Sequence, residues 1–169
     1  MQKLSLGYTE NAVIEALDQY LKWLKPLSHQ LVDKLGDNLS GLNWHDGSLE
    51  KIPQDGLMSA LNNKNMPAVV LWKAVQKAGE TLRAGESLSP TLVHTFIDYI
   101  VRNSAHRIID LLKEIDLDFL SNMDMNEYNT NKEEAYKEGD FDIIILYECL
   151  GLAQSRLKDV LVGKGPERI

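Results

Sequence analysis

The sequence predicts an all-α fold: a single domain over residues 1–169, packed as an irregular helical bundle of four to five main helices with short helices in the connections. Three observations carry this expectation. Apolar residues recur at spacings of three and four in several long segments, and helix start and stop signals bracket those segments. The two β-prone runs, AVVLW at 68–72 and IIILY at 143–147, continue directly into residues with helical spacing. A chain of 169 residues is long enough to bury roughly 70% of its unfolded surface around a core.

In the first segment, Thr9 is a candidate cap and Glu10 places a negative charge in the first turn. Val13, Leu17, Tyr20, Leu24, Leu27, Leu31 and Leu35 then draw one stripe, and Gly36 stops it. Pro26 lacks the N–H that would bond one turn back, so a kink or break is expected between Lys22 and Pro26. Residues 36–66 are rich in Gly, Asn and Asp. So long a connection should be pinned by Leu39, Leu42, Trp44, Ile52, Leu57 and Leu61, with a short helix over Gln54 to Leu61.

Pro67 suits the first position of the next helix, where its missing N–H is no loss. Leu71, Val75, Ala78 and Leu82 form its stripe and Gly85 ends it. Ser89 followed by Pro90 is the clearest start signal in the chain, opening a helix expected to reach about Leu117. The stretch SNMDMNEYNTNK then reads as a polar loop and KEEAYKEG as a short helical turn closed by Gly139. A last helix runs to Gly163, and residues 163–169 are expected to form a flexible tail.

Composition narrows the function classes. Cys149 is the only cysteine, so neither an internal disulfide nor a cysteine zinc site can form, which favours a reducing, cytoplasmic setting. The amino terminus lacks the layout of a secretory signal, and no run of apolar residues is long enough to span a membrane. A net charge of −7 has the wrong sign for neutralising phosphates, so nucleic acid is not an expected partner, and without an apolar span neither is a membrane. No cofactor or metal is expected: no His has a Glu three residues before it, and the calcium-hand-like start at Asp124 fails at Asn129 and Ala135. Phosphate-cradling glycine loops and a nucleophile elbow are also missing, and Cys149 sits in an apolar helix as a core residue.

One run invites a chemical reading: His94, Asp98, Arg102, His106 and Asp110, each four residues from the last. Projected at about 100° per residue, Val93, Phe96, Ile97, Ile100, Ser104, Ile108, Leu111 and Ile115 share the buried arc. Asp98, Arg102, His106 and Asp110 fall opposite, with His94 at the boundary, which predicts exposed helix pairs of Asp98 with Arg102 and His106 with Asp110. A catalytic ladder would need another element folded over that face. Arg107, beside the apolar arc, either lays its methylenes along the core or pairs with a carboxylate of the acidic segment.

The pentapeptide RNSAH at 102–106 resembles the start of the signature of the HEPN ribonucleases, an Arg followed by four to six residues and a His. Here three residues separate Arg102 from His106, so the spacing departs from the pattern. The resemblance implies an enzyme alternative, a metal-independent ribonuclease using Arg102 and His106.

The charge is concentrated. Residues 116–148 hold 10 acidic and 2 basic side chains, whereas residues 1–115 hold 13 and 12. Such a segment steers basic partners and repels nucleic acid. The expected function is therefore a non-catalytic acidic protein-binding module, of inhibitor, immunity or adaptor type, with no catalytic residues. Its partner surface would comprise Asp116, Asp118, Asp124, Glu127, Glu133, Glu134, Glu138, Asp140 and Asp142, with Tyr128, Tyr136 and Met125 as less polar anchors. A third reading is a helical subunit of a larger assembly. In the last helix, Ile145 and Leu152 lie off the stripe of Leu146, Leu150, Leu157 and Leu161, so that edge is either covered within the monomer or contacts a second copy in a homo-oligomer.

Overall fold

The computed structural model describes the backbone of residues 2–161 and the side chains of residues 9–157 apart from 118, 119 and 121. Six α-helices and no strands occur among the described residues, so the fold is all-α. They are α1 (Gln2–Leu35), α2 (Ser48–Asn62), α3 (Met66–Glu80), α4 (Pro90–Glu114), α5 (Met125–Glu138) and α6 (Phe141–Leu161). Two 3₁₀ turns, Gly36–Gly41 and Leu117–Asn122, sit in the connections. No described helix is long and apolar enough to cross a membrane. The expected tail at 163–169 and the helix end at Gly163 lie outside the described residues.

Backbone contacts divide the chain into two compact units, one of Met1–Tyr20 with Ser104–Ile169, the other of Leu21–Asn103. In the second unit α3 is the central element: Met66, Val69, Val70, Leu71, Ala74, Val75 and Ala78 are all buried, which covers most of its circumference. Asn65 caps it by accepting from the Ala68 N–H at 3.3 Å, and Pro67 stands at the second helical residue, one position later than expected but still in the first turn, where its missing N–H is no loss. The run AVVLW is therefore a buried helix rather than a strand, and Leu82 falls beyond its end.

Several boundaries differ from expectation. Helix α1 begins at Gln2, so Thr9 is an interior residue and not a cap. It also passes through Pro26 without a break. Just beyond the proline, the buried Ser28 donates its hydroxyl to Leu24 O at 2.9 Å and lies 3.2 Å from Pro67 O, which fixes this stretch of helix within its unit. The connection after α1 contains a 15-residue helix in place of a short one, and its pins are redistributed. Leu39, Leu42 and Leu49 are buried, whereas Ile52 is exposed. Trp44 is half exposed and is held by its indole N–H donating to Gly79 O at 3.1 Å.

Helices α2 and α3 approach closely at two glycines. The indole of Trp72 lies against Gly56, where an added Cβ would collide with the ring, and Leu49 packs on Gly79 at 3.1 Å from a would-be Cβ. In Gly56→Ala, a helix-propensity gain of about 1 kcal/mol is opposed by overpacking of about 1–3 kcal/mol. The expected net result is a Tm lower by about 2–4 °C together with altered tryptophan emission, read by thermal melts and fluorescence. A higher Tm with unchanged emission would show that the close approach carries no constraint.

In the first unit α5 packs on α6, and α6 on the Leu117–Asn122 turn. Asp124 starts α5 by accepting from the N–H groups of Asn126 (2.9 Å) and Glu127 (3.3 Å), and Gly139 closes it at φ 70°. The expected polar loop over 125–131 is thus the first two turns of a 14-residue helix. Helix α6 is buried on more than one side: Ile144, Ile145, Cys149 and Ala153 are fully enclosed alongside Leu146, Leu150 and Leu157. Ile145 is accordingly covered within the monomer, while Leu152 remains exposed.

Candidate functional site

The titratable ladder of α4 is split between two environments. Its first half meets the 21–35 stretch of α1: His29 Nε2 lies 2.7 Å and Lys25 Nζ 3.6 Å from Asp98 Oδ1, and His94 Nε2 lies 2.9 Å from Asp33 Oδ1. The two imidazoles face each other with ring centroids 4.2 Å apart. Asp98 therefore turns to α1 and not to Arg102, because a short cross-helix hydrogen bond outweighs an exposed i,i+4 pair of a few tenths of a kcal/mol. The cluster latches α1 to α4 inside its unit. In the second half Arg102 and His106 are exposed, and Asp110 is 3.8 Å from Lys113 in place of the expected pair with His106. Among the described residues no hydrogen bond or ion pair joins Arg102 to His106. Among the described residues no group of three or more His, Cys, Asp or Glu could hold a metal ion.

The buried stripe of α4 is also rotated from its projected position. Val93, Ile97, Val101, Ser104, Ile108 and Leu112 are buried, and Ile115 is exposed. Arg107 forms the ion pair and not the core-lying arrangement: its Nη1 donates to Asp142 Oδ2 at 3.0 Å, while Ser104 donates to Asp142 Oδ1 at 2.6 Å. Asp142 is only 13% exposed and is neutralised by this pairing, so it is not part of an open acidic surface.

The remaining acidic residues separate by helix face. Glu127, Asn131, Glu134 and Glu138 recur at spacings of four, three and four and form one exposed stripe on α5. Glu133, Asp116 and the two helix-start residues Asp124 and Asp140 are exposed as well, and the side chain of Asp118 lies outside the described residues. The opposite face of α5 carries Tyr128, Lys132, Ala135 and Tyr136 against α6. Tyr128 and Tyr136, expected as surface anchors, are 5% and 3% exposed and do not reach the surface. Their aromatic rings supply the apolar area that lets so polar a helix dock at all. Met125 is exposed.

Beneath this face lies a polar network that the sequence reading did not anticipate. Tyr136 donates to Glu148 Oε2 at 2.5 Å, Lys132 Nζ is 3.4 Å from Glu148 Oε1, and the Tyr128 hydroxyl donates to Tyr147 O. Gly151 leaves room for that hydroxyl, since a Cβ there would collide with it. Burial, and then the Glu148 carboxylate, pushes Cys149 up to about 12 and Tyr128 up to about 12. Burial likewise holds Tyr20 and Tyr136 well above the ordinary tyrosine value, with Glu148 adding to both shifts. The result is a cysteine held as an inert thiol. The available sequence signal was the i,i+4,i+8 spacing of Tyr128, Lys132 and Tyr136, on the face opposite the glutamate stripe.

Next to the network, α5 and α6 frame a groove of about 570 Å³. Its walls are Tyr128, Ile143, Leu146, Tyr147 and Leu150 with Ile115, and Asp124, Glu127 and Asn131 stand at the α5 side. No Lys or Arg is among its lining residues. Comparison with models of protein families, with curated proteins and with solved structures finds no match to this chain.

Proposed function

We propose that the protein is a non-catalytic acidic binding module that engages a basic partner protein through the outer face of α5. The observation that carries this reading is the Glu127–Glu134–Glu138 stripe: three exposed carboxylates on one helix face, with Lys132 turned inward to Glu148 and the exposed Lys137 off the stripe, at the last turn. Such a face attracts cations at long range and raises association rates. The reading takes the protein as cytoplasmic, in keeping with a single buried, unpaired thiol.

The test uses a partner recovered by crosslinking in the native cell and then purified. Reversal of the stripe (Glu127→Lys, Glu134→Lys, Glu138→Lys) is expected to lower kon about 10-fold or more at low salt and to flatten its dependence on ionic strength, measured by stopped flow. An unchanged kon would remove the reading. Cleavage of RNA by the purified chain, lost in His106→Ala, would replace it with the ribonuclease alternative.

A further inference from the structure

We infer that the groove between α5 and α6 is the seat of an amphipathic basic helix of the partner, its apolar side chains entering the groove while its lysines or arginines meet the glutamate stripe. This deepens the reading of the α5 face as a partner surface and rests on it. Three features point to such an occupant. The groove volume of about 570 Å³ is within the range of pockets that enclose several large apolar groups, roughly 300–1,000 Å³. Its walls are aliphatic and aromatic, with Leu146 and Leu150 at the base and Tyr147 and Ile143 partly open to the occupant. Every charged lining residue is an acid, so an anionic or purely apolar ligand would leave Asp124 and Glu127 facing it without a counter-charge.

The length of the charged face selects a helix over a small cation. From Glu127 to Glu138 the stripe rises roughly 16 Å along α5, about three turns. It continues past Asn131, where the groove lining on α5 ends, to Glu134 and Glu138. A partner helix laid against α5 would place apolar residues at i, i+3, i+4 and i+7 over the groove and cations along the acidic edge.

The probe is a synthetic helical peptide of leucine and lysine with one apolar face, compared with an all-lysine peptide and a leucine–glutamate peptide of equal length. Binding to the full chain is read by fluorescence anisotropy, and its place by amide and methyl shifts in NMR. The leucine–lysine peptide is expected to bind with shifts at Ile143, Tyr147 and Leu150. Asn131→Trp on α5 and Ile115→Trp in the connection after α4, which fill the groove from two different sides, should each weaken it about 10-fold without changing the charge. Glu134→Lys should instead slow association and flatten its dependence on ionic strength. Equal affinity for the all-lysine peptide, or indifference to both tryptophan variants, would overturn the groove while leaving the acidic face standing. Binding of the leucine–lysine peptide that ignores both salt and Glu134→Lys would overturn the acidic face instead. Equal binding of the leucine–glutamate peptide would overturn both.

Discussion

Raising the pH above about 9 is expected to unfold the protein in one cooperative transition, with a loss of stability steeper than ordinary surface titration produces. The cause is the cluster of neutral acids in the first unit. Cys149 and Tyr128 are each pushed up to about 12, from ordinary values of 9.0 and 10.0, and Tyr20 and Tyr136 are also raised, chiefly by burial. Below pH 9 both the folded and unfolded chains hold these protons, and the stabilising contribution is fully present. As pH rises through the unfolded values, only the unfolded chain releases them, so stability falls until the folded groups ionise in turn. Each group whose unfolded form has ionised contributes a slope of about 1.4 kcal/mol per pH unit, and several act together. With total stabilities of about 5–15 kcal/mol, a few pH units are enough to cross the midpoint.

Urea unfolding between pH 8 and 11 measures this directly, and the tyrosine Cζ resonances report ionisation residue by residue. The expected result is that Tyr20, Tyr128 and Tyr136 become tyrosinate together with global unfolding. Ionisation of these three in a chain that keeps its tertiary structure would show that they are not enclosed as described. In Cys149→Ala, the onset of the decline should move upward, because the lowest unfolded titration in the set is then gone.

The helical class was legible because it rests on local chemistry. Ser89 before Pro90 does start α4, its Oγ accepting from Leu92 N at 3.1 Å, and Gly139 does end α5 in the left-handed conformation that glycine adopts freely. The misplaced start of α5 has a tertiary origin. Asn126, Asn129 and Asn131 read as loop residues by propensity, yet packing of Tyr128, Ala135 and Tyr136 against α6 overrides three weak local preferences. The pairing of His29 with Asp98 and of His94 with Asp33 joins residues 69 and 61 positions apart, which no local pattern encodes. Glu148 illustrates the limit of counting charge along a chain: it contributed to the acidic total of residues 116–148, but it faces Lys132 and Tyr136 and adds nothing to the outer stripe. Facing, not composition, decides which carboxylates a partner meets.

Replacing Glu148 should therefore alter stability rather than recognition. Its carboxylate accepts from Tyr136 at 2.5 Å and neutralises Lys132, in a site where both charged side chains are about three-quarters enclosed, at 27% and 25% exposure. Glu148→Ala removes a charge-assisted hydrogen bond and leaves Lys132 without this counter-ion, which is expected to destabilise by about 2–3 kcal/mol at pH 7. Glu148→Gln keeps the shape and an acceptor for the tyrosine, so its loss should be smaller, about 1 kcal/mol. The two variants also separate charge from packing at high pH. Glu148 contributes to the raised values of Tyr20, Tyr128, Tyr136 and Cys149, so neutralising it brings all four closer to their unfolded values and reduces the total stability lost on the alkaline side. Glu148→Gln is thus expected to be less stable than the parent at pH 7 and to lose less on going to pH 11, as measured by urea unfolding at both pH values. A parallel downward shift at both would mean that the carboxylate stabilises through Lys132 and Tyr136 without contributing to the raised titrations of the four groups.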